Sequence, residues 1–303
     1  MAKYLDPKND LLFKRIFGEH KDILISFLNS FLPLGNNEVT KVEYLTPEQI
    51  PKTRRGKLSI VDVRCTDNIG RSFIVEMQNS WDNIFHNRLL VNGAKAIVKQ
   101  MDKKKVEHEA ILFSELKPVY ILAVLNDEFT DKNSKEWIRY LRIQDRKDPY
   151  FYLKGLDYIL LELPKFKPET WNLTEKKMAI LWLRFLKEIE RYNNDVPKEF
   201  QKNKYIRTAM EICEVAAFSP EELDIYERIQ EEILLNKNVK FYEDTIEQNK
   251  IDLEEKDKTI EQNKIDLEEK DKTIEEKDKE NLLMKEELEK MKEEIKKLKK
   301  RNV

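Results

Sequence analysis

The stretch "SIVDVRCTDNIGRSFIVEMQN", residues 59–79, constrains the fold more than any other part of the chain. Two apolar runs flank Asn68-Ile69-Gly70, a three-residue loop with glycine at the position that needs a left-handed backbone. The loop predicts a β-hairpin in which Asp67 faces Arg71 and, counting back, Asp62 faces Glu76. Alternation then sends Val61, Val63, Cys65, Phe73, Val75 and Met77 to one face. Ile60, Asp62, Arg64, Ile74, Glu76 and Gln78 share the other. A two-residue Asn68-Ile69 loop is the alternative, and it offsets the acids by one position.

Both carboxylates sit between apolar neighbours, and neither has an evident basic partner. Like charges directly opposite each other destabilise a strand pair, and carboxylates held so close resist joint ionisation. Two readings follow. A divalent cation offsets the repulsion, because hard Mg²⁺ takes oxygen ligands from one or two carboxylates together with water and substrate phosphate. Alternatively the strands lie at a solvated edge, with Arg64 nearby.

The flanking segments predict an α/β core. "YLDPKNDLLFKRIFG" reads as a helix with Asp6 as N-cap and Pro7 at its first position, followed by a second helix over "HKDILISFLNSFLPL". "EVTKVEYL" (38–45) reads as a strand and residues 82–104 as a helix. "PVYILAVLN" (118–126) has the continuous apolar pattern of a strand covered on both faces, and "YILLELPKF" (158–166) reads as another strand. A helix between the hairpin and the apolar strand implies a crossover onto a parallel neighbour. From Thr174, paired with Lys177 in a partial capping box, the chain turns helical, and Ser219-Pro220 with Glu222 marks a further helix start.

The last segment is low-complexity helix. "TIEQNKIDLEEKDK" occurs at 245–258 and again, unchanged, at 259–272. One heptad frame holds throughout, with Val239, Ile246, Leu253, Ile260, Leu267, Ile274, Asn281, Leu288 and Ile295 at a. The d positions are apolar near both ends but polar in the middle (Asn249, Lys256, Asn263, Lys270). Both a weak coiled coil and a solvated single helix stabilised by i,i+4 pairs such as Asp252–Lys256 fit this pattern.

Charge narrows the partners. The tail, residues 236–303, holds 18 Lys and Arg against 21 Asp and Glu, leaving 38 against 37 for residues 1–235. The folded part lacks the overall basic charge common in nucleic-acid binders, so such binding needs local patches: "KTRRGK" (52–57) or "KQMDKKK" (99–105). Each patch is equally readable as solvated loop or helix-end charge. Two distant cysteines without CxxC, and three histidines without metal spacing, argue against a disulfide scaffold or structural zinc. Neither an 18-residue apolar run nor a signal peptide is present, which leads to the expectation of a cytoplasmic protein without membrane contact.

The constellation Asp62-x13-Glu76-x-Gln78 resembles the catalytic motif of the PD-(D/E)XK nucleases. Together with "DPKNDLLFKRIFG" and "PVYILAVLN" it resembles the recombination-promoting nuclease family, also described as PD-(D/E)XK nuclease family transposases. The resemblance covers residues 4–130 well and extends loosely to about 235. It implies a restriction-endonuclease-like αβββαβ core and Mg²⁺- or Mn²⁺-dependent hydrolysis of DNA phosphodiesters in recombination, mobile-element or phage-defence settings. Carried over, Asp62 and Glu76 are metal ligands, and the backbone carbonyl of Met77 completes the metal shell. Val61 replaces the motif's proline, and Gln78 stands where the superfamily has lysine. An amide cannot act as a general base, although it can orient water.

Further candidates are Asp10, an additional acid or the i,i+4 partner of Lys14, and Arg88, Asn92, Lys95 and Lys99, which recur on one helix face as a phosphate-contacting ridge or a solvated surface. The expected organisation is a nuclease-like core over 1–170, a helical cap over 171–235 and the charged tail over 236–303, with DNA as partner and a homo-oligomer, a dimer first. The competing reading is a catalytically inactive nuclease fold that binds DNA or protein and assembles through its tail.

Overall fold

The hairpin closes as its loop chemistry dictates. In the computed structural model Gly70 adopts φ +87°, its N–H donates to the Asp67 carbonyl at 3.1 Å, and Asp67 N donates to the Arg71 carbonyl at 3.1 Å. Arg71 Nε and Asp67 Oδ2 form a buried 2.6 Å ion pair behind the turn. The structure describes residues 4–49, 59–79, 84–106, 113–129, 134–167, 177–192 and 195–301. The patch at 52–57 lies outside these residues, as does Thr174 of the partial capping box.

Strand β4 (Val63–Asp67) pairs antiparallel with β5 (Ser72–Gln78), Val63 facing Val75 and Thr66 facing Ser72. This is the expected register. Asp62 precedes β4 in a bend, and there the expected alternation fails. Val61 packs not with Val63 and Cys65 but on the opposite face, with Ile74, Phe85 and Leu89. The bend breaks the two-residue period, so Val61 keeps its apolar burial while Asp62 is turned towards the end of β5.

On the outer side of β4 lies β1 (Val42–Tyr44), and on the inner side of β5 lies β6 (Val119–Leu125), parallel to it. Helix α3 (Phe85–Val106) makes the crossover between β5 and β6. Strand β8 (Tyr152–Glu162) adds in parallel to β6, and β7 (Ile138–Gln144) closes that edge antiparallel, giving the order β1-β4-β5-β6-β8-β7. A separate two-stranded ribbon joins β2 (Glu48–Gln49) to β3 (Ser59–Ile60). β6 is covered on both faces, Leu122 and Val124 in one apolar cluster, Ile121 and Ala123 in the other.

The strand expected at 158–166 instead begins at Tyr152 and stops at Glu162, where Pro164 leads a 3-10 turn over Leu163–Lys165. β7 was not anticipated. Most of it is exposed, so "IRYLRIQ" carries neither alternation nor a continuous apolar run.

Helices α1 (Asp10–Glu19), α2 (Lys21–Phe31), α4 (Lys177–Glu188) and α6 (Lys204–Cys213) pack with the larger cluster, and α5 (Lys198–Lys202) adds Phe200. Aromatic contacts tie them together: the Phe27 and Trp182 rings meet edge-on at 5.7 Å. The cap of α1 differs from expectation. Asn9, not Asp6, accepts from Leu11 N, because the Asp6 carboxylate is engaged by Lys8, accepting its N–H at 2.9 Å and its ammonium at 2.7 Å. This opening segment also braces the end of β5, since Asn79 Nδ2 donates to the Lys8 carbonyl at 2.7 Å.

Helix α7 (Pro220–Arg301) starts with the expected reciprocal capping box: Ser219 N donates to Glu222 Oε2 at 2.8 Å and Glu222 N to Ser219 Oγ at 3.3 Å. Such caps contribute about 1 kcal/mol. The chain divides into two units, Met1–Lys237 and Asn238–Val303. Within the second, the described side chains from Phe241 onwards are exposed, including Ile246, Leu253, Ile260, Leu267 and Ile274. Among the described residues no helix is long and apolar enough to cross a membrane.

Candidate active site

The hairpin register carries Asp62 to the end of β5 that holds Glu76 and Gln78. Asp62 Oδ2 accepts the Met77 N–H at 2.7 Å, a bond that fixes the carboxylate in the bend. Its other oxygen, Oδ1, faces Lys14 Nζ at 3.4 Å. This overturns the expectation that neither acid has a basic neighbour. Lys14 comes from α1, which lies close to β4 at Gly18, where an added Cβ would touch Val63 Cγ2 at 3.8 Å.

Glu76 is served from the other face of the sheet. Asn92, on α3, donates from Nδ2 to Glu76 Oε1 at 3.0 Å. Gly93, the next residue, permits this approach. A Cβ there would meet Leu156 Cδ1 and Tyr158 Oη at 2.9 Å and Ile121 Cδ1 at 3.1 Å, so the missing side chain lets α3 seat itself on β6 and β8 without displacing these groups. The opposite end of the Asn92 amide, Oδ1, is buried without a hydrogen-bond partner.

Electrostatics follow from this packing. Burial, and then the charge of Asp62, pushes the Glu76 carboxyl up to about 8. Asp62 is also raised, by burial, against the Met77 N–H and Lys14, which favour its ionised form. Asp10 is raised by burial and by the charge of Asp62. Three acids thus share one field, and together they make a poor host for three negative charges and a good one for a cation.

Asp10, Lys14, Asp62, Glu76, Met77 and Gln78 line one cavity of about 780 Å³. Arg88, Asn92 and Lys95 line its α3 side, whereas Lys99 lies outside it. Arg88 Nη2 donates to Gln78 Oε1 at 2.7 Å. The expected cluster is therefore brought together, with Asp10 included, and Lys14 is paired with Asp62 rather than reserved for Asp10. Sequence reading missed Lys14 as a site residue. Its spacing from Asp10 gave a sufficient local explanation, and only the packing of α1 on β4 reveals the longer-range partner.

The candidate donor set is all oxygen: the Asp62 and Glu76 carboxylates, which line the same cavity. No group of three or more His, Cys, Asp or Glu side chains placed to hold a metal occurs among the described residues. An ion here would take the rest of its shell from water, backbone oxygen and phosphate, the habit of Mg²⁺ rather than zinc. The residues present fit a hard divalent cation.

No curated protein and no solved structure is significantly similar to the chain. A family model described as "PD-(D/E)XK nuclease family transposase" does match, over residues 7–243. That span contains the acidic hairpin, the α3 crossover and the covered parallel strand, and on it the chain belongs to the PD-(D/E)XK nuclease family transposases.

Proposed function

We propose that this chain is a divalent-metal-dependent DNA endonuclease, with Asp62 and Glu76 as the metal ligands. Membership of the family supports a nuclease and recombination-related role. The finer reading is supported by the convergence of the Asp62 and Glu76 carboxylates, both raised by burial, in one cavity that Lys14, Arg88 and Lys95 also line. Acids alone would repel DNA. Acids ringed by cations suit a metal ion with a phosphodiester laid across it.

When bound, the ion supplies Lewis acidity towards the phosphoryl oxygen and a water of lowered pKa. The chain's own residues do the rest. Asp62 presents Oδ1 while Met77 N–H holds Oδ2, and Asn92 orients Glu76. Arg88 fixes the Gln78 carbonyl, so the amide's NH₂ is the end that faces a water or a phosphate oxygen. Arg88 and Lys95 neutralise backbone phosphates, and the Met77 carbonyl offers one further oxygen for the ion.

The test is cleavage of supercoiled plasmid in Mg²⁺ or Mn²⁺ against a chelator control. The wild-type protein should nick or linearise the plasmid only with the ion, and Glu76→Gln should not. Equal cleavage by Glu76→Gln overturns the site; plasmid left intact by the wild type with either ion overturns the function and leaves the binding-module reading.

A further inference from the structure

The site carries no cation at position 78, where the superfamily motif has lysine. Phosphodiester hydrolysis builds negative charge on the non-bridging oxygens, and a positioned cation beside the ion stabilises that charge. Position 78 offers only an amide, and that amide is already bonded through its carbonyl to Arg88. Arg88 in turn lies over the Phe85 ring, its Cζ 5.5 Å from the centroid, and is held on the α3 side.

We infer that Lys14, reaching in from α1, is the catalytic ammonium of this site and contacts a non-bridging oxygen of the scissile phosphate. The inference rests on the nuclease reading and deepens it. Three observations carry it. Lys14 Nζ lies 3.4 Å from Asp62 Oδ1, the carboxylate oxygen that Met77 leaves free. Its side chain is 45% exposed although Asp62 is only 12% exposed, so it stands at the mouth of the cavity and can turn towards a bound strand. It enters from the face of the sheet opposite Asn92 and α3, so a phosphate at the two acids would have cations on both sides.

The ion pair also gives Lys14 a resting place. Without an ion, the ammonium offsets the charge of Asp62. Were Asp62 to hold a cation through Oδ1, Lys14 would lose this partner, and its ammonium would be available to a phosphate. In the step that follows, the water oxygen bonds to phosphorus as the bond from phosphorus to the leaving oxygen breaks. The water gives its proton to solvent, and the departing alkoxide takes one from solvent. Lys14 neither gains nor loses a proton; it holds charge.

A merely structural Lys14 predicts something different, so Lys14→Met and Lys14→Arg are compared on two readouts. The first is Mn²⁺ affinity without DNA, by calorimetry. Removing a competing cation should leave that affinity equal or raise it. The second is the single-turnover cleavage rate at saturating Mn²⁺ and DNA. Lys14→Met should fall by about 10²-fold, the scale of one lost transition-state donor, and Lys14→Arg should recover part of it. Cleavage by Lys14→Met at the wild-type rate overturns the inference and leaves the nuclease reading standing. Lost Mn²⁺ binding in Lys14→Met also overturns it, by showing that the ammonium only shapes the metal site. A wild type inert with every divalent ion overturns both.

Discussion

Asn92 Nδ2 donates to Glu76 Oε1 across 3.0 Å, and the Oδ1 of the same amide is buried with no hydrogen-bond partner. Helical spacing groups Asn92 with Arg88 and Lys95 as a phosphate contact, but its contact is with an acid. Asn92→Leu should therefore weaken Mn²⁺ binding by about 10- to 100-fold, the usual cost of losing a group that orients a ligand. Binding of a DNA duplex without metal should stay as in the wild type. Calorimetry and a metal-free gel shift check the pair. Loss of metal-free DNA binding with intact Mn²⁺ affinity would restore the phosphate role.

Gly93 holds the same relationship from behind. An alanine Cβ would press on Leu156 Cδ1, Tyr158 Oη and Ile121 Cδ1 at 2.9–3.1 Å; Leu156 is half-buried, but Tyr158 and Ile121 are buried and have little room to give. Gly93→Ala should destabilise the protein by about 1–3 kcal/mol, the range for an overpacked core. Because Asn92 moves with the helix, Mn²⁺ affinity should fall as well. Urea unfolding with an unchanged m-value gives the first quantity. Wild-type stability would mean that α3 is less closely seated than these distances state.

The Glu76 carboxyl sets a pH dependence whose sign can be worked out. Its folded value is about 8, against an ordinary value of 4.5. The folded state thus holds this proton more tightly than the unfolded chain does, and the resulting stability is fully present below about 4.5 and lost as pH rises to about 8. In metal-free protein, thermal stability should decline across that window, and Glu76→Gln should flatten the decline. Divalent ion should restore stability at the alkaline end, since binding there no longer has to displace a proton. A metal-free stability profile identical in wild type and Glu76→Gln sinks this assignment.

Much of the acidic hairpin is legible in the sequence because its information is local. A glycine at the left-handed loop position fixes the register, and the register fixes which residues face each other. The continuous apolar run of β6 likewise announced a strand covered on both faces. What escaped was non-local or masked by exposure. The bend at Asp62 returns Val61 to the face of Ile74 and Phe85, and a period of two cannot foresee a break in itself. β7 lies at an exposed edge and shows no burial pattern. Lys14 had a nearer acid in the sequence, Asp10, and nothing local distinguishes that partner from Asp62.

Gln78 now carries a constraint that the motif alone did not show. Its carbonyl accepts from Arg88, so Gln78→Lys would set an ammonium against that guanidinium at the same hydrogen-bond distance. Restoring the superfamily's lysine should therefore reduce cleavage, and Gln78→Lys combined with Arg88→Ala should recover more activity than either change alone. Gln78→Ala should lower the cleavage rate and leave Mn²⁺ affinity largely intact. Rates in a double-mutant cycle decide between coupling and independence. Additive losses would mean that the two residues act separately.

The tail can be tested for both frame and direction. Its 14-residue repeat is two heptads, so deleting 259–272 preserves the a/d frame, whereas deleting 12 residues moves Leu288, Met291 and Ile295 out of phase with Val239. Direction follows from the flanking charges. In a parallel in-register pair the carboxy-terminal g and e positions match Glu280 with Lys285, Glu287 with Lys292 and Glu294 with Lys299. Antiparallel pairing of that segment sets glutamates against glutamates and lysines against lysines. Asn281 at an a position also favours a two-stranded register. The repeated middle opposes Asp252 to Asp257 and Asp266 to Asp271 in the same parallel pair, so it contributes little. The seam at 281–298 should therefore carry the association. Asn281→Cys should cross-link to its counterpart under oxidation, and replacing Lys285, Lys292 and Lys299 by Glu should shift sedimentation equilibrium to monomer. A tail that stays monomeric in the unaltered chain, with both deletions behaving alike, is instead a solvated spacer.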